Sequence, residues 1–150
     1  MRCEVKYKVN NPIFMENTTE KPVILFDGVC NLCNGAVQFI INRDDKAKFM
    51  FASLQSDFGQ QLLEKHNLNK TDFDSFILME NNIIYKKSTA ALRMFSGLGG
   101  LWKLSYGLFI FPEFIRNFVY DFVAKNRYRF FGKKDACMIP TPALKARFFK

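Results

Sequence analysis

Short apolar runs and longer amphipathic stretches alternate along the first part of the chain. Residues Val23–Phe26 form an unbroken apolar run, which predicts a strand. Asp27-Gly28 follows as a turn signal, and beyond it apolar residues recur at helical spacing. The positions that define this helical face are Leu32, Ala36, Val37, Ile40 and Ile41. The pattern therefore predicts a strand that leads through a tight turn into a helix.

A second strand and a second helix follow. Residues 48–54 (KFMFASL) are mostly apolar, so we expect a strand there. Ser56 or Asp57 is placed to cap a helix that ends near His66. These two elements repeat the strand-then-helix order of the first pair, which favours a parallel sheet joined by a helical crossover.

A hairpin and a third helix complete this part of the pattern. Residues 76–79 and 83–85 are short apolar runs, and residues 80–82 between them contain two asparagines that tolerate positive φ. Ser88 or Thr89 is expected to cap the next helix, which ends before a cluster of three glycines. The resulting order, β-α-β-α-β-β-α, is the thioredoxin arrangement, and it predicts an α/β fold.

The chain continues into a helical C-terminal extension. Six apolar residues recur there at helical spacing and form a broad stripe. They are Phe114, Ile115, Phe118, Val119, Phe122 and Val123. We expect this stripe to be core or to face a partner helix, in preference to lying on a membrane surface. The single tryptophan, Trp102, is also expected in the core.

The length of 150 residues fits one domain, with residues 1–20 as a loose arm and residues 21–150 as a single domain. No secretory signal and no apolar run of about 18 residues is present, which favours a cytoplasmic protein.

The net charge is +8, and residues 125–150 hold eight cations against one acid. A solvated basic face is the expected explanation, although attraction to anionic lipid remains an alternative. No nucleic-acid-binding motif accompanies the charge.

The candidate chemistry lies at the first strand-to-helix junction. Cys30 and Cys33 form a Cys-x-x-Cys pair at the predicted start of the helix. The helix N-terminus carries partial positive charge, which favours a thiolate, so we expect Cys30 to be an accessible nucleophile. Cys33, one turn later, is placed to resolve a mixed disulfide. Such a dithiol is its own redox centre and requires no metal, flavin or nucleotide.

Asp27 precedes this dithiol and has two interpretations. Its carboxylate is a candidate proton acceptor for the deeper thiol, which would make Asp27 a third catalytic residue. Alternatively, it holds the turn through hydrogen bonds to backbone N–H groups. A carboxylate also opposes ionisation of a neighbouring thiol by like-charge repulsion.

Two segments resemble a known family. The segment FDGVCNLCNGAVQFIINRD looks like the N-terminal signature of the DCC family of thiol-disulfide oxidoreductases, whose name echoes Asp27, Cys30 and Cys33. The segment NRYRFFGKKDAC, residues 126–137, is similar to the C-terminal block of that family. The likeness covers roughly residues 22–148. It implies a thioredoxin-like protein, of a kind found mostly in bacteria, that exchanges disulfides with a protein or a small thiol substrate.

The chain departs from the wider thioredoxin superfamily in its prolines. Those enzymes usually carry a cis-proline before the third strand, where its backbone grips the substrate peptide. No proline occurs here between Pro22 and Pro112. We therefore expect weaker reduction of protein disulfides than of small disulfides, unless residues 73–75 or the start of the third helix clamp peptides instead.

Two other classes of function compete with redox catalysis. One is a zinc-stabilised domain, in which Cys30 and Cys33 would need two further ligands from Cys3, Cys137 and His66. The other is a non-catalytic binding module whose basic, aromatic C-terminal half docks on a membrane surface or a partner protein. We expect Cys137 to be a buried apolar residue, Cys3 to have no role and His66 to be exposed to solvent.

Overall fold

Five short strands form one mixed sheet in the computed structural model, which describes residues 21–68, 76–133 and 145–149. The strands are β1 (Val23–Phe26), β2 (Met50–Ser53), β3 (Ile77–Glu80), β4 (Ile83–Lys86) and β5 (Phe148–Phe149). Their order across the sheet is β4-β3-β1-β2-β5. β1 runs parallel to β2 and antiparallel to β3. This arrangement confirms the predicted thioredoxin-like fold.

Helices cover the sheet and extend beyond it. The α-helices are α1 (Asn31–Ile41), α2 (Asp57–Lys65), α3 (Lys87–Gly97) and α4 (Glu113–Phe131). A run of 3₁₀ turns, Gly100–Ile110, connects α3 to α4, and a short one, Lys145–Arg147, precedes β5. Among the helices of these described ranges, none is long and apolar enough to cross a membrane.

The alternation of side chains along β1 divides the core between the two faces of the sheet. Ile24 and Phe26 pack in the cluster formed with α1 and α3, whereas Val23 and Leu25 pack in the cluster formed with α2. All four side chains are fully buried, as expected for the central strand of a sheet covered on both faces. The C-terminal end of β1 therefore lies inside the core, and the Cys-x-x-Cys segment follows directly after it.

The structure confirms the predicted hairpin turn and one predicted helix cap, whereas the other predicted helix cap is wrong. Asn81 and Asn82 both adopt positive φ, 50° and 63°, so the predicted hairpin turn is confirmed. The Ser56 side chain accepts a hydrogen bond from the Gly59 N–H and caps α2. The predicted cap of α3 is wrong, because that helix begins at Lys87 and the Ser88 hydroxyl donates to Asn117 of α4 instead.

The fifth strand is an element that the pattern did not predict. Phe148 and Phe149 pair with β2 in parallel, and their rings stack on Phe51 and Phe58. Arg147 fixes this strand by forming an ion pair with the buried Asp44. The C-terminal residues Phe148 and Phe149 are thus part of the sheet.

The apolar stripe of α4 is exposed, so the prediction that it forms core is wrong. Phe114, Phe118 and Phe122 are all more than half exposed. Trp102, also predicted in the core, lies on the 3₁₀ run and is 39% exposed. Its ring packs edge-on against Phe39 of α1. The predicted loose arm, residues 1–20, lies outside the described residues.

Candidate active site

A tight turn joins β1 to α1 and positions the two cysteines. The backbone N–H of Cys30 donates to the carbonyl of Asp27 over 3.3 Å, and Cys30 is the N-cap residue of α1. Its carbonyl accepts the first helical hydrogen bond, from the N–H of Asn34, at 2.9 Å. The side chain of Asn34 reaches back to the carbonyl of Gly28 over 2.9 Å and ties the helix to the turn.

Both cysteines lie where the sequence predicted, but they are less accessible than expected. Cys30 stands at the start of α1, and Cys33 lies one turn inside the helix. Both are unpaired thiols within the core cluster between the sheet, α1 and α3. The exposure of Cys30 is 0% and that of Cys33 is 4%, so the expectation of an accessible Cys30 is wrong for this conformation.

The environment of Cys33 favours its protonated form. Burial raises the pKa of the Cys33 thiol, and the adjacent Cys30 raises it further through its charge and a hydrogen bond between the two side chains. Asp27 acts in the same direction, whereas the positive charge of Arg127 lowers the pKa and only partly opposes the other effects. Together these effects favour the neutral thiol at Cys33.

A buried ion pair lies beneath the turn. Asp27 is 1% exposed, and its Oδ2 atom lies 3.1 Å from Nη2 of Arg127, which is 3% exposed. The hydroxyl of Tyr128 donates to the same Oδ2 atom. Since a buried carboxylate is costly unless it is paired and hydrogen-bonded, these two α4 residues offset the burial of Asp27.

The other oxygen of Asp27 organises the turn and the end of β2. Oδ1 accepts a hydrogen bond from the backbone N–H of Val29 at 3.1 Å and from Nε2 of Gln55 at 2.7 Å. Gln55 in turn accepts from the N–H of Gly28 at 3.1 Å. The predicted turn-holding role of Asp27 is confirmed by these contacts, and its role as a proton acceptor stays a prediction.

The α4 residues of this network have shifted pKa values. Burial, together with the hydrogen bond to Asp27, raises the pKa of Tyr128 to about 12. Burial would lower the pKa of Arg127, but the hydrogen bond to Tyr128 and the neighbouring negative groups raise it overall. Tyr128 therefore remains a donor and Arg127 a cation across the physiological pH range.

Residues 131–133, here called the cover segment, lie directly over Cys30. The carbonyl of Phe131 accepts a hydrogen bond from Nδ2 of Asn31 at 2.9 Å, and Lys133 forms an antiparallel β-bridge with Cys30. Gly132 between them has φ of +77°, and a Cβ there would lie 3.2 Å from Nδ2 of Asn31. Glycine permits this close approach of backbone to the dithiol turn.

Residues 24–133 match the sequence profile of the DCC1-like thiol-disulfide oxidoreductases. The chain belongs to this family. The matched region begins in β1 and ends in the cover segment, so it contains every side chain of the dithiol site described above.

Two relatives extend the comparison to full-length proteins. The chain is 55% identical to the uncharacterized protein YuxK of Bacillus subtilis (strain 168) over 126 residues, which cover 84% of this chain and 92% of that protein. It is 40% identical to the DCC family protein At1g52590, chloroplastic, of Arabidopsis thaliana over 119 residues, which cover 79% of this chain and 69% of that protein. No solved structure matches the chain.

Three further residues were predicted as candidate zinc ligands, and the structure describes one of them, His66. Cys3 and Cys137 lie outside the described residues, and His66 is the half-buried C-cap of α2 rather than a fully exposed side chain. Within the described ranges, no three His, Cys, Asp or Glu side chains are grouped so as to hold a metal ion. A cavity of about 300 Å³ lies near Lys21 and Lys48, at the opposite end of β1 from the cysteines.

Gln55, Arg127 and Tyr128 belong to the site but were not predicted from the sequence. Arg127 and Tyr128 lie in the NRYRFFGKKDAC block that resembles the DCC family, but the charge there was interpreted as a solvated basic face. Asp27 was the one residue that could have indicated a buried partner. An acid next to a buried strand end needs a cation from elsewhere in the chain. Periodicity could not show which of the eight C-terminal cations supplies it.

The ion pair should dominate the stability of the site. Replacing Arg127 with Met would leave Asp27 buried without a counter-charge, and we expect a loss of about 3–5 kcal/mol in the free energy of unfolding. Replacing both partners together, Asp27→Asn with Arg127→Met, should cost less than the sum of the two single changes. Urea unfolding of the four proteins measures this coupling.

The half-exposed pair between Lys87 and Asp121 is the matched control. Its atoms lie 2.9 Å apart, but the two side chains are 40% and 38% exposed. Asp121→Asn should therefore change the free energy of unfolding by no more than about 1 kcal/mol. Equal costs for Arg127→Met and Asp121→Asn would contradict the importance assigned to the buried pair.

Proposed function

We propose that this DCC family member exchanges disulfides through Cys30 and Cys33. The observation that carries the proposal is the pair of free thiols at the N-terminus of α1, beside the buried Asp27–Arg127 ion pair. Membership in the DCC1-like family of thiol-disulfide oxidoreductases supports the same chemistry. The dithiol supplies both electrons, so the proposed reaction involves no cofactor.

The reaction has two balanced steps. The thiolate of Cys30 attacks one sulfur of the substrate disulfide, which forms a mixed disulfide and releases the first substrate thiolate. Cys33 then loses its proton and attacks the sulfur of Cys30, which releases the second substrate thiolate and forms the Cys30–Cys33 disulfide. The released thiolates take up two protons. The protein dithiol is thereby oxidised by two electrons, and the substrate disulfide is reduced to two thiols.

The environment of Cys33 fits a resolving thiol. Its raised pKa keeps it protonated, so it does not compete with Cys30 for the substrate. We assign Asp27 as the group that accepts the proton of Cys33 in the second step, and Arg127 as the positioning residue that holds Asp27 in place. The helix N-terminus at Cys30 stabilises the thiolate of the first step.

Substrate access requires the cover segment to move. Cys30 has no exposed surface, and an attacking thiolate must reach its target in line with the bond that breaks. The hydrogen bond between Asn31 and Phe131 closes the segment over the sulfur. The reactive form is therefore an open conformation in which residues 131–133 have separated from the start of α1.

Loosening the cover should expose Cys30. Asn31→Ala removes the hydrogen bond to Phe131, and a bond worth about 1 kcal/mol would raise the open population roughly fivefold. We expect alkylation of Cys30 by iodoacetamide, followed by mass spectrometry of the reduced protein, to accelerate by a similar factor.

Asn126→Ala is the matched control for this experiment. Nδ2 of Asn126 donates to the carbonyl of Phe122 at 2.8 Å, an amide-to-carbonyl bond on the exposed part of α4. This change should leave the alkylation rate unaltered. If wild-type Cys30 already reacts as fast as the unfolded protein, the cover does not limit access.

The two cysteines should differ in their capture of substrates. Cys33→Ser leaves the attacking thiol without a resolving partner, so mixed disulfides accumulate, whereas Cys30→Ser should form few. Both variants are exposed to oxidised glutathione and to a cell lysate, and adducts are scored on non-reducing gels and by mass. Matching adduct patterns for the two variants would refute the assigned roles. One equivalent of zinc in the purified wild type, released by thiol reagents, would favour the zinc-stabilised domain.

The proposed substrate is a disulfide of a protein or of a small thiol. The preference for small disulfides over protein disulfides stays a prediction, and residues 73–75, one candidate peptide clamp, lie outside the described residues. The proposed compartment is the cytoplasm, where glutathione and thioredoxin systems keep such dithiols reduced.

A further inference from the structure

Helix α4 turns its polar side toward the protein. Asn117 accepts a hydrogen bond from Ser88 at 2.6 Å, the hydroxyl of Tyr120 accepts from the backbone N–H of Phe76 at 2.8 Å, and Asp121 forms an ion pair with Lys87. Arg127 continues this side into the dithiol site. A surface helix ordinarily buries its apolar side, so α4 is inverted. These polar contacts fix which side of α4 faces the protein.

The apolar side of α4 consequently faces outward. Phe118 is 74% exposed, and Phe114, Phe122, Val119 and Val123 are exposed beside it. The 3₁₀ run before α4 adds further exposed apolar side chains. These are Leu101, Leu104, Leu108, Ile110 and Phe111. Within the described ranges, the exposed apolar side chains of these two successive elements are here called the outer face. Exposed apolar surfaces of this kind mark interaction sites.

The charges beside the outer face have one predominant sign. Lys103, Lys125, Arg129 and Lys133 are exposed on the same two elements and the cover segment, against one exposed acid, Glu113. The other acid of these elements, Asp121, is already paired with Lys87. An apolar surface bordered by cations is complementary to a lipid bilayer that carries anionic headgroups.

Two amphipathic aromatic residues support the same partner. Trp102 and Tyr106 lie on the 3₁₀ run and remain exposed, by 39% and 57%. Tryptophan and tyrosine are favoured at the boundary between headgroups and hydrocarbon, because one part of the ring system is apolar and another is polar. Together with the exposed cations of these elements, the two rings favour an anionic bilayer as the partner.

We propose that the outer face docks on the surface of an anionic bilayer. Phe114, Phe118 and Phe122 enter the boundary of the acyl chains, and Lys125 and Arg129 bind the phosphate-bearing headgroups. The inner, polar side of α4 stays on the domain, so the protein lies on the bilayer through one helix face. This inference is independent of the dithiol chemistry proposed above.

Trp102 is the single tryptophan of the chain, so its fluorescence reports on this face directly. The full-length protein is mixed with vesicles of phosphatidylcholine alone or of phosphatidylcholine with phosphatidylglycerol, at low and physiological salt. Sedimentation measures binding, and acrylamide quenching measures the shielding of Trp102. We expect binding and a blue shift with the anionic vesicles only, weakened by salt because exposed charges are screened.

Two sets of variants separate apolar from electrostatic contributions. Phe118→Glu with Phe122→Glu should abolish binding, and Ile83→Glu, at an exposed apolar residue of the β3–β4 hairpin, is its matched control. Lys125→Glu with Arg129→Glu should weaken binding roughly tenfold or more. The matched control is Lys46→Glu with Lys65→Glu, at exposed lysines outside the outer face. Circular dichroism verifies that each variant is folded.

Four outcomes would overturn the proposal. They are the absence of binding to anionic vesicles at low salt, equal binding to neutral and anionic vesicles, and full binding by the Phe118→Glu, Phe122→Glu variant. The fourth is a Trp102 that is fully shielded from acrylamide without vesicles, since the structure leaves it 39% exposed. Light scattering then decides what shields Trp102. If the protein is a monomer, the chain covers its own outer face. If it is a dimer that the Phe118→Glu and Phe122→Glu changes dissociate, the partner is a second copy of the chain.

Discussion

The ion pair between Asp27 and Arg127 is the interaction on which the site depends. It joins residues a hundred positions apart in the chain and is almost fully buried. Separating its partners would leave a charge in the core, which costs far more than the loss of a surface pair. The pair therefore fixes α4 against the end of β1, and with it the hydroxyl of Tyr128, the amide of Gln55 and the turn that carries the cysteines.

The same interaction explains why α4 is oriented with its polar side inward. Arg127 must reach Asp27, and Asn117, Tyr120 and Asp121 lie on the same side of the helix and bind α3 and the start of β3. The end of α4 then lies over Cys30, where the cover segment closes the thiol from solvent. Helix α4 and the cover segment after it thus supply the counter-charge of Asp27, the barrier over Cys30 and the exposed apolar face.

Local patterns in the sequence predicted most of the fold, because each depends on neighbours along the chain. The apolar run of β1, the Ser56 cap and the Asn81-Asn82 turn are examples, and the Cys-x-x-Cys spacing located the dithiol. The missed features are contacts over long separations. Neither the pairing of Phe148 with β2 nor the choice of Arg127 among eight C-terminal cations is encoded in local periodicity. The stripe of α4 was interpreted as core because amphipathicity shows that a helix has two sides, not which side faces the protein.

The reduction potential of the Cys30–Cys33 couple shows whether these two residues form a redox-active dithiol. Titration against glutathione buffers, with the disulfide followed by alkylation and mass, should show one reversible two-electron transition at or below about −220 mV. The reason is that burial raises the pKa of Cys33, so the reduced state gains little from an ionised thiol at that position. Failure to form the disulfide at any glutathione ratio, or a potential near about −120 mV, typical of strong dithiol oxidants, would contradict this account.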